Sequence, residues 1–222
     1  MRAKMRWLQW LSNALLGVAL GLAGYYALTT AIGMVEQRRL AAEVVDVGPF
    51  ASEFPDDLLE PDGPERDFAG WDAEDRAYWD GLGPGSVFGR IVIPRMELDT
   101  LVINGVSTAD LRRGPGWIDW SDLPGPTGTC GISGHRTTFG APFGKLGELV
   151  TGDTIDLFSP YRRYRYRVTE TLVVRPDQTE VVAPTDAPSL TLTACHPPYS
   201  AQFRLAVKAE LIEVRRLEQV PE

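Results

Sequence analysis

The 222-residue sequence has few residues that carry redox or metal chemistry, with two cysteines and two histidines in total. A disulfide framework is excluded, because one bridge between Cys130 and Cys195 would use both thiols. The formal net charge is −8. A nucleic-acid partner is not expected, because such proteins need a basic stripe to neutralise phosphates.

Charge is also absent from Trp7 to Val35. This run exceeds the ~20 residues that cross a bilayer as a helix. Arg2, Lys4 and Arg6 precede it, so the positive-inside rule predicts a cytoplasmic N-terminus and an extracellular domain. A cleaved signal peptide is the alternative, but its apolar region is typically ~7 to 15 residues. We therefore expect a single-pass anchor in the cell membrane.

The composition predicts three parts. Residues 1–39 form the basic tip and transmembrane anchor, 40–85 an acidic linker rich in Pro and Gly, and 86–222 the folded C-terminal domain. Between positions 40 and 80 there are 13 acidic residues and two arginines, which would keep the linker extended. Near its end, a short helix is expected to dock through Trp71, Tyr78 and Trp79.

The remaining sequence has short apolar runs separated by Gly, Pro and Asp, which is typical of an all-β barrel or sandwich. Val181 and Val182 are candidates for one further short strand. Seven strands are predicted: Val87–Ile93, Thr100–Ile103, Thr129–Gly134, Thr154–Phe158, Tyr164–Val174, Leu190–Cys195 and Phe203–Val214.

Cys195 closes an apolar run and is followed by His196 and two prolines, so its strand must end directly after the thiol. The next apolar run begins at Phe203. An antiparallel hairpin would therefore bring Arg204 back beside Cys195. His135 also follows a strand, in a glycine-containing loop. A nucleophilic cysteine, a histidine and a cation are the groups that acyl transfer requires.

Several separated motifs then resemble one family, the sortases, and most closely its class E. The similarity covers about residues 88–214, and the matching segments occur in the family's order: Phe88–Arg95, Asp110–Trp117, Gly134–Phe143, Gly152–Ile155 and Thr191–Cys195. In the last segment Ala194 replaces the threonine that precedes the family's cysteine. Arg204 matches the family's active-site arginine.

The resemblance implies a closed β-barrel of about eight strands with short helices, preceded by one transmembrane helix. It implies a cysteine transpeptidase that cleaves secreted proteins at a C-terminal Leu-Ala-X-Thr-Gly or Leu-Pro-X-Thr-Gly signal, between Thr and Gly. The acyl group then passes to an amine of a peptidoglycan precursor. Cys195 would be the nucleophile, His135 the acid/base and Arg204 the electrostatic helper, with no metal or cofactor. Thr193, Ala194, Phe139 and Trp117 are the candidate substrate-binding residues.

Several alternatives stay open at this stage. Cys130 is expected in the core, although a disulfide to Cys195 would block the nucleophile. His196 is a poorer base than His135, because neighbours on a strand point to opposite faces. Arg204 and the aromatic residues could be structural. The rival functions are a catalytically impaired cell-envelope binding domain, for which Ala194 is the one indication, an endopeptidase that uses water, and a pilus-polymerising sortase.

Overall fold

The computed structural model describes residues 2–43 and 66–217. Eight strands form a closed barrel in the order β1-β2-β3-β4-β7-β8-β6-β5. Most neighbouring strands are antiparallel, whereas β2 pairs with β3 and β4 pairs with β7 in parallel. The strands are β1 Val87–Ile93, β2 Leu98–Asn104, β3 Gly116–Trp117, β4 Thr129–Ser133, β5 Thr154–Phe158, β6 Arg162–Val174, β7 Ser189–His196 and β8 Phe203–Arg216.

All seven strands expected from the apolar runs are present, with ends within two residues of the predicted ones. One short strand in the structure is not among the predicted ones, and one candidate strand is a helix instead. Gly116–Trp117 forms β3, which is too short to show a pattern of alternation in the sequence. Val181 and Val182 belong instead to a 3₁₀ helix, Thr179–Val182, in which only Val182 is buried, so two adjacent apolar residues do not make a strand here.

The apolar core fills the inside of the barrel. Along β7 the even-numbered residues Leu190, Leu192 and Ala194 belong to the core cluster. Successive side chains on a strand point to opposite faces, so Thr191, Thr193 and Cys195 lie on the outer wall. Alternation along β7 therefore places the thiol outside the barrel while its neighbours hold the core together.

The N-terminal helix α1 spans Arg2–Glu43 and is long and apolar enough to cross a membrane. Its last turns contact the barrel: Leu40 packs with Val87, Leu101 and Ile103 on the outer side of β1 and β2. The helix continues past position 39, where the sequence places the start of the linker.

The segment before β1 also packs on the barrel. It contains a π-helical turn, Asp72–Arg76, and helix α2, Ala77–Asp80. Trp71 and Trp79 are buried in the core, which confirms the predicted docking of a short helix through these rings, with Tyr78 partly buried beside them. Below them, buried Asp75 pairs with fully buried Arg162. Residues 44–65 of the predicted linker lie outside the described residues, and the three-part division stays a prediction.

A third helix, α3, spans Thr108–Arg113 between β2 and β3. A capping box begins it, in which Ser107 Oγ accepts from Asp110 N at 3.2 Å and Asp110 accepts from Ser107 N at 3.0 Å. Because this reciprocal pair fixes the first turn, it also sets the position of Arg112 and Arg113 in the last turn.

Candidate active site

Cys195 and Arg204 face each other across the β7–β8 hairpin. They are directly paired in the antiparallel ladder. Residues in such a pair carry their side chains on the same face of the sheet. The hairpin predicted from the sequence is confirmed, and it places thiol and guanidinium on the same outer wall of the barrel.

His135 reaches the same end of the barrel through β4. Strands β4 and β7 are parallel, with Ser133 beside Thr193, and Gly134 N donates to Thr193 O at 3.0 Å. His135 and Cys195 each lie two residues beyond this register pair. Because parallel strands end at the same edge of a sheet, the two residues meet at one edge of the barrel wall.

The imidazole of His135 is half-buried and incompletely bonded. Its Nε2 is buried with no hydrogen-bond partner among the residues that the structure describes. Its ring lies 5.2 Å from the Phe139 ring, at a 40° tilt. Burial lowers the pKa of His135, and the nearby charge of Arg112 lowers it further. An unpaired buried ring nitrogen is unusual in a folded protein, and a catalytic role is one reason for it.

The loop from His135 to Phe143 is fastened at both ends. Phe143 N donates to His135 O at 3.0 Å, and the Phe143 side chain is fully buried. A Cβ on Gly134 would lie 2.7 Å from the Phe143 ring, so only glycine allows that ring to close over the strand end. This contact explains why a glycine directly precedes the histidine.

Arg136 is a second cation at the site. Its Nη1 lies 2.7 Å from His196 Nδ1 and donates to the backbone oxygen of Cys195 at 3.3 Å. Its Nε is buried and has no partner within the described part of the chain. Sequence reasoning missed this residue, and its position next to His135 was the only available signal.

Arg204 donates from Nη1 to Ala201 O at 3.0 Å and to Phe203 O at 3.1 Å. These bonds hold the loop that follows the cysteine. The guanidinium therefore orders the hairpin turn and brings a positive charge to the wall that carries Cys195.

The other candidates for catalysis lie in environments that do not suit the role. Arginine can only donate, so the nitrogen of His196 that faces Arg136 must be the acceptor. Cys130 is buried and free, and burial and the charge of Asp122 raise the pKa of its thiol. Cys130 pairs with Leu190, five residues from Cys195, or about 16 Å along the strand. A disulfide between the two cysteines is therefore excluded in this fold.

The predicted substrate-binding residues lie in different environments. Thr193 is on the outer wall, two residues from the thiol, and Phe139 lies against His135. Ala194 is buried in the core, so its side chain faces away from the wall. The Trp117 ring stacks on Phe88 at 5.0 Å, and its Nε1 donates to Asp122 O at 3.1 Å. The substrate-binding roles of all four stay predictions.

Within residues 2–43 and 66–217 no group of three or more His, Cys, Asp or Glu side chains is arranged to hold a metal ion. The groups assembled at the barrel edge are a thiol, two imidazoles and two guanidiniums, and this set suits nucleophilic acyl transfer.

A family model described as Sortase domain matches residues 91–212, more than half of the chain. The chain belongs to the sortase family. Sortase D of Bacillus subtilis is 31% identical over 114 residues, which cover 51% of this chain and 56% of that protein. Sortase SrtE1 of Streptomyces coelicolor is 26% identical over 148 residues, covering 60% of this chain and 42% of that protein.

The chain thus spans about half the length of these curated relatives. Among solved structures, the crystal structure of sortase E1 from Streptomyces coelicolor matches with a TM-score of 0.58 and 26% identity, over 61% of this chain and 94% of that one. The predicted closed barrel of the sortase type is confirmed. The sortase domain and its sortase relatives support a cysteine transpeptidase.

Proposed function

We propose that the protein is a membrane-anchored cysteine transpeptidase that cleaves a C-terminal sorting signal between Thr and Gly and joins the new carboxyl end to a cell-wall amine. The observation that carries this proposal is the convergence of Cys195, His135 and Arg204 at one edge of the barrel through the registers of β4, β7 and β8. Family membership supports the reaction type.

The proposed reaction has two balanced steps. Cys195 gives its thiol proton to His135, the Sγ attacks the threonine carbonyl carbon, the C–N bond to glycine breaks, and His135 passes that proton to the leaving amine. The thioester that results is then attacked by the acceptor amine, the C–S bond breaks, and the proton that the amine loses passes through His135 to the departing Cys195 sulfur. Arg204 stabilises the negative charge that develops on the carbonyl oxygen in both steps.

The unpaired Nε2 of His135 supports the acid/base role, because a buried polar atom without a partner is unusual and is found at catalytic groups. Thr193, on the same wall as Cys195, and Phe139, against His135, are the nearest of the proposed substrate contacts. The matching sortase E1 structure holds a tripeptide in its active site, which favours a peptide substrate here. Its class also favours a Leu-Ala-X-Thr-Gly signal.

The proposal also includes the position of the protein in the cell membrane. Helix α1 would anchor the protein with its basic end in the cytoplasm and the barrel outside, as the positive-inside rule predicts. Both substrates, a secreted protein and a peptidoglycan precursor, would then reach the enzyme at the outer face of the cell membrane.

The test uses the full-length protein in nanodiscs. Leu-Ala-X-Thr-Gly and Leu-Pro-X-Thr-Gly peptides are incubated with and without a diglycine amine, and products are identified by mass spectrometry. We expect an amine-linked product with the wild type and with Cys130→Ala, and none with Cys195→Ala. Cleavage without amine transfer would indicate an endopeptidase instead. Peptide binding without cleavage would indicate a binding domain.

A further inference from the structure

Helix α1 divides into two parts by exposure. All residues from 6 to 28 are exposed, and then Thr29, Gly33 and Leu40 are buried. Steps of four and seven residues return to the same face of a helix. The exposed part after the basic tip, 7–28, is about 33 Å long at about 1.5 Å per residue, enough for a bilayer core. Residues 29–40, which we call the outer segment, thus lie against the barrel.

We propose that the outer segment is a positioning element of the active site, which holds the loop of residues 135–143 in its active conformation through contact between Gly33 and the Phe139 backbone. The inference rests on the proposed role of His135. Residues 29–40 would then do more than tether the enzyme to the membrane.

The outer segment is fixed to the barrel by specific bonds. Gln37 Nε2 donates to Arg113 O at 2.7 Å and to Leu101 O at 3.2 Å. Its Oε1 accepts from Thr100 Oγ1 at 2.8 Å and from Leu101 N at 2.9 Å. Every donor and acceptor position of this amide is therefore used. Leu40, packed on Val87 of β1 and on Leu101 and Ile103 of β2, adds an apolar contact about one helical turn later.

At Gly33 the helix backbone lies directly on the loop. A Cβ at this position would be 2.7 Å from both the carbonyl carbon and the oxygen of Phe139, and 3.1 Å from Gly140 N. Real Cβ atoms do not approach backbone this closely, so glycine is required for the contact. Any side chain at position 33 would push the loop and the helix apart.

The loop that Gly33 contacts has a strained backbone. Phe139, Gly140 and Ala141 are consecutive and all left-handed, with φ of 51°, 78° and 45°. Residues other than glycine rarely adopt this conformation, and they keep it only where their surroundings hold them. The outer segment supplies such a surface on the Phe139 side.

Phe139 connects this contact to the proposed acid/base. Its ring lies 5.2 Å from the His135 ring, and the Arg112 guanidinium lies 5.7 Å from the Phe139 ring centre. The neighbouring Arg113 pairs with Glu36 of the outer segment at 3.7 Å. A shift of the outer segment would thus reach His135 through Phe139 and through helix α3.

The test compares two glycine substitutions in the full-length protein in nanodiscs. Gly33→Leu places bulk against Phe139, whereas Gly24→Leu adds the same bulk where nothing lies within 4 Å. Misplacement of a reacting group by about 1 Å can cost about 100-fold in rate. We expect Gly33→Leu to lower kcat by about 10- to 100-fold and Gly24→Leu to match the wild type. Hydrogen exchange of residues 136–144 should increase only in Gly33→Leu.

An unchanged kcat in a folded Gly33→Leu variant would overturn the inference and leave the proposed function intact. If both the wild type and Gly24→Leu lack transpeptidation, the proposed function fails instead. Should Gly33→Leu not fold, Gln37→Ala decides by the same criterion, because it removes the four bonds without adding bulk. A normal kcat in Gln37→Ala would then overturn the inference.

Discussion

Arg136 Nη1 lies 2.7 Å from His196 Nδ1 and also donates to the carbonyl oxygen of Cys195. A single guanidinium thus fixes the two residues at which β7 ends. Hydrogen bonds from a charged group are worth about 1.5–3 kcal/mol each, more than those of neutral pairs. Arg136 therefore holds the nucleophile's backbone from outside the hairpin, while Arg204 holds the loop from within it.

This arrangement predicts that Arg136→Gln lowers kcat by about tenfold, because one charge-assisted contact at the Cys195 carbonyl is lost. Steady-state transpeptidation measures the effect. Arg76→Gln is the matched control, since Arg76 is exposed on the segment before the barrel. Equal rates for Arg136→Gln and the wild type would mean that the carbonyl contact contributes nothing to catalysis.

The pKa of His135 offers a second test. Burial is the larger cause that lowers this pKa, and the positive charge of Arg112 lowers the pKa further. Arg112→Gln removes that repulsion, so we expect the pKa of His135 to rise and the protonated form to persist to higher pH. Because the chain has two histidines, NMR titration with labelled histidine gives two signals, and His196→Asn assigns them.

High salt supplies the control for this titration. Salt screens charges near the surface, so the difference between Arg112→Gln and the wild type should shrink at about 1 M ionic strength. If the pKa of His135 instead falls in Arg112→Gln, loss of the contact between Arg112 and the Phe139 ring has a larger effect on this pKa than loss of the charge.

Ala194 is the one mismatch in the cysteine motif, and its side chain is buried in the core. A threonine there would point away from the thiol, so its hydroxyl can affect catalysis only indirectly. We expect Ala194→Thr to change the acylation rate by less than about tenfold, since a neutral hydrogen bond is worth about 0.5–1.5 kcal/mol. Overpacking should lower the free energy of unfolding by about 1–3 kcal/mol.

Ala209→Thr is the matched control for Ala194→Thr, because Ala209 is buried in the same core on β8. Single-turnover acylation and denaturant unfolding are measured for both variants. A gain of several orders of magnitude in Ala194→Thr alone would mean that the natural protein is a disabled sortase, as the binding-domain hypothesis holds.

The strands could be predicted from the sequence because their apolar runs are bounded by Gly, Pro and Asp. The Cys195–Arg204 pairing followed from a strand that must end at two prolines and return at Phe203. Both the strand positions and this pairing depend on residues that are close together in the sequence, so local sequence patterns are enough to predict them. The barrel's closure and family followed from the resemblance of several spaced motifs.

The rest depends on contacts between distant segments. The parallel pairing of β4 with β7, which brings His135 to the site, has no local signal. The same holds for Arg136 at the Cys195 carbonyl, and for Gly33 against Phe139, about 100 residues away. The pairing of buried Arg162 with buried Asp75 likewise could not be predicted, because arginine is rarely fully buried and the two residues are distant in the sequence.

The central claim is that Cys195 forms the thioester and that His135 protonates the glycine amine that leaves the peptide in this step. The most direct measurement mixes the full-length protein with a Leu-Ala-X-Thr-Gly peptide, quenches the reaction in acid and maps the adduct by mass spectrometry. We predict an acyl adduct on Cys195, retained in Cys130→Ala and in His196→Ala, and reduced by at least about 100-fold in rate in His135→Ala. An adduct on Cys130, or full acylation in His135→Ala, would contradict the claim.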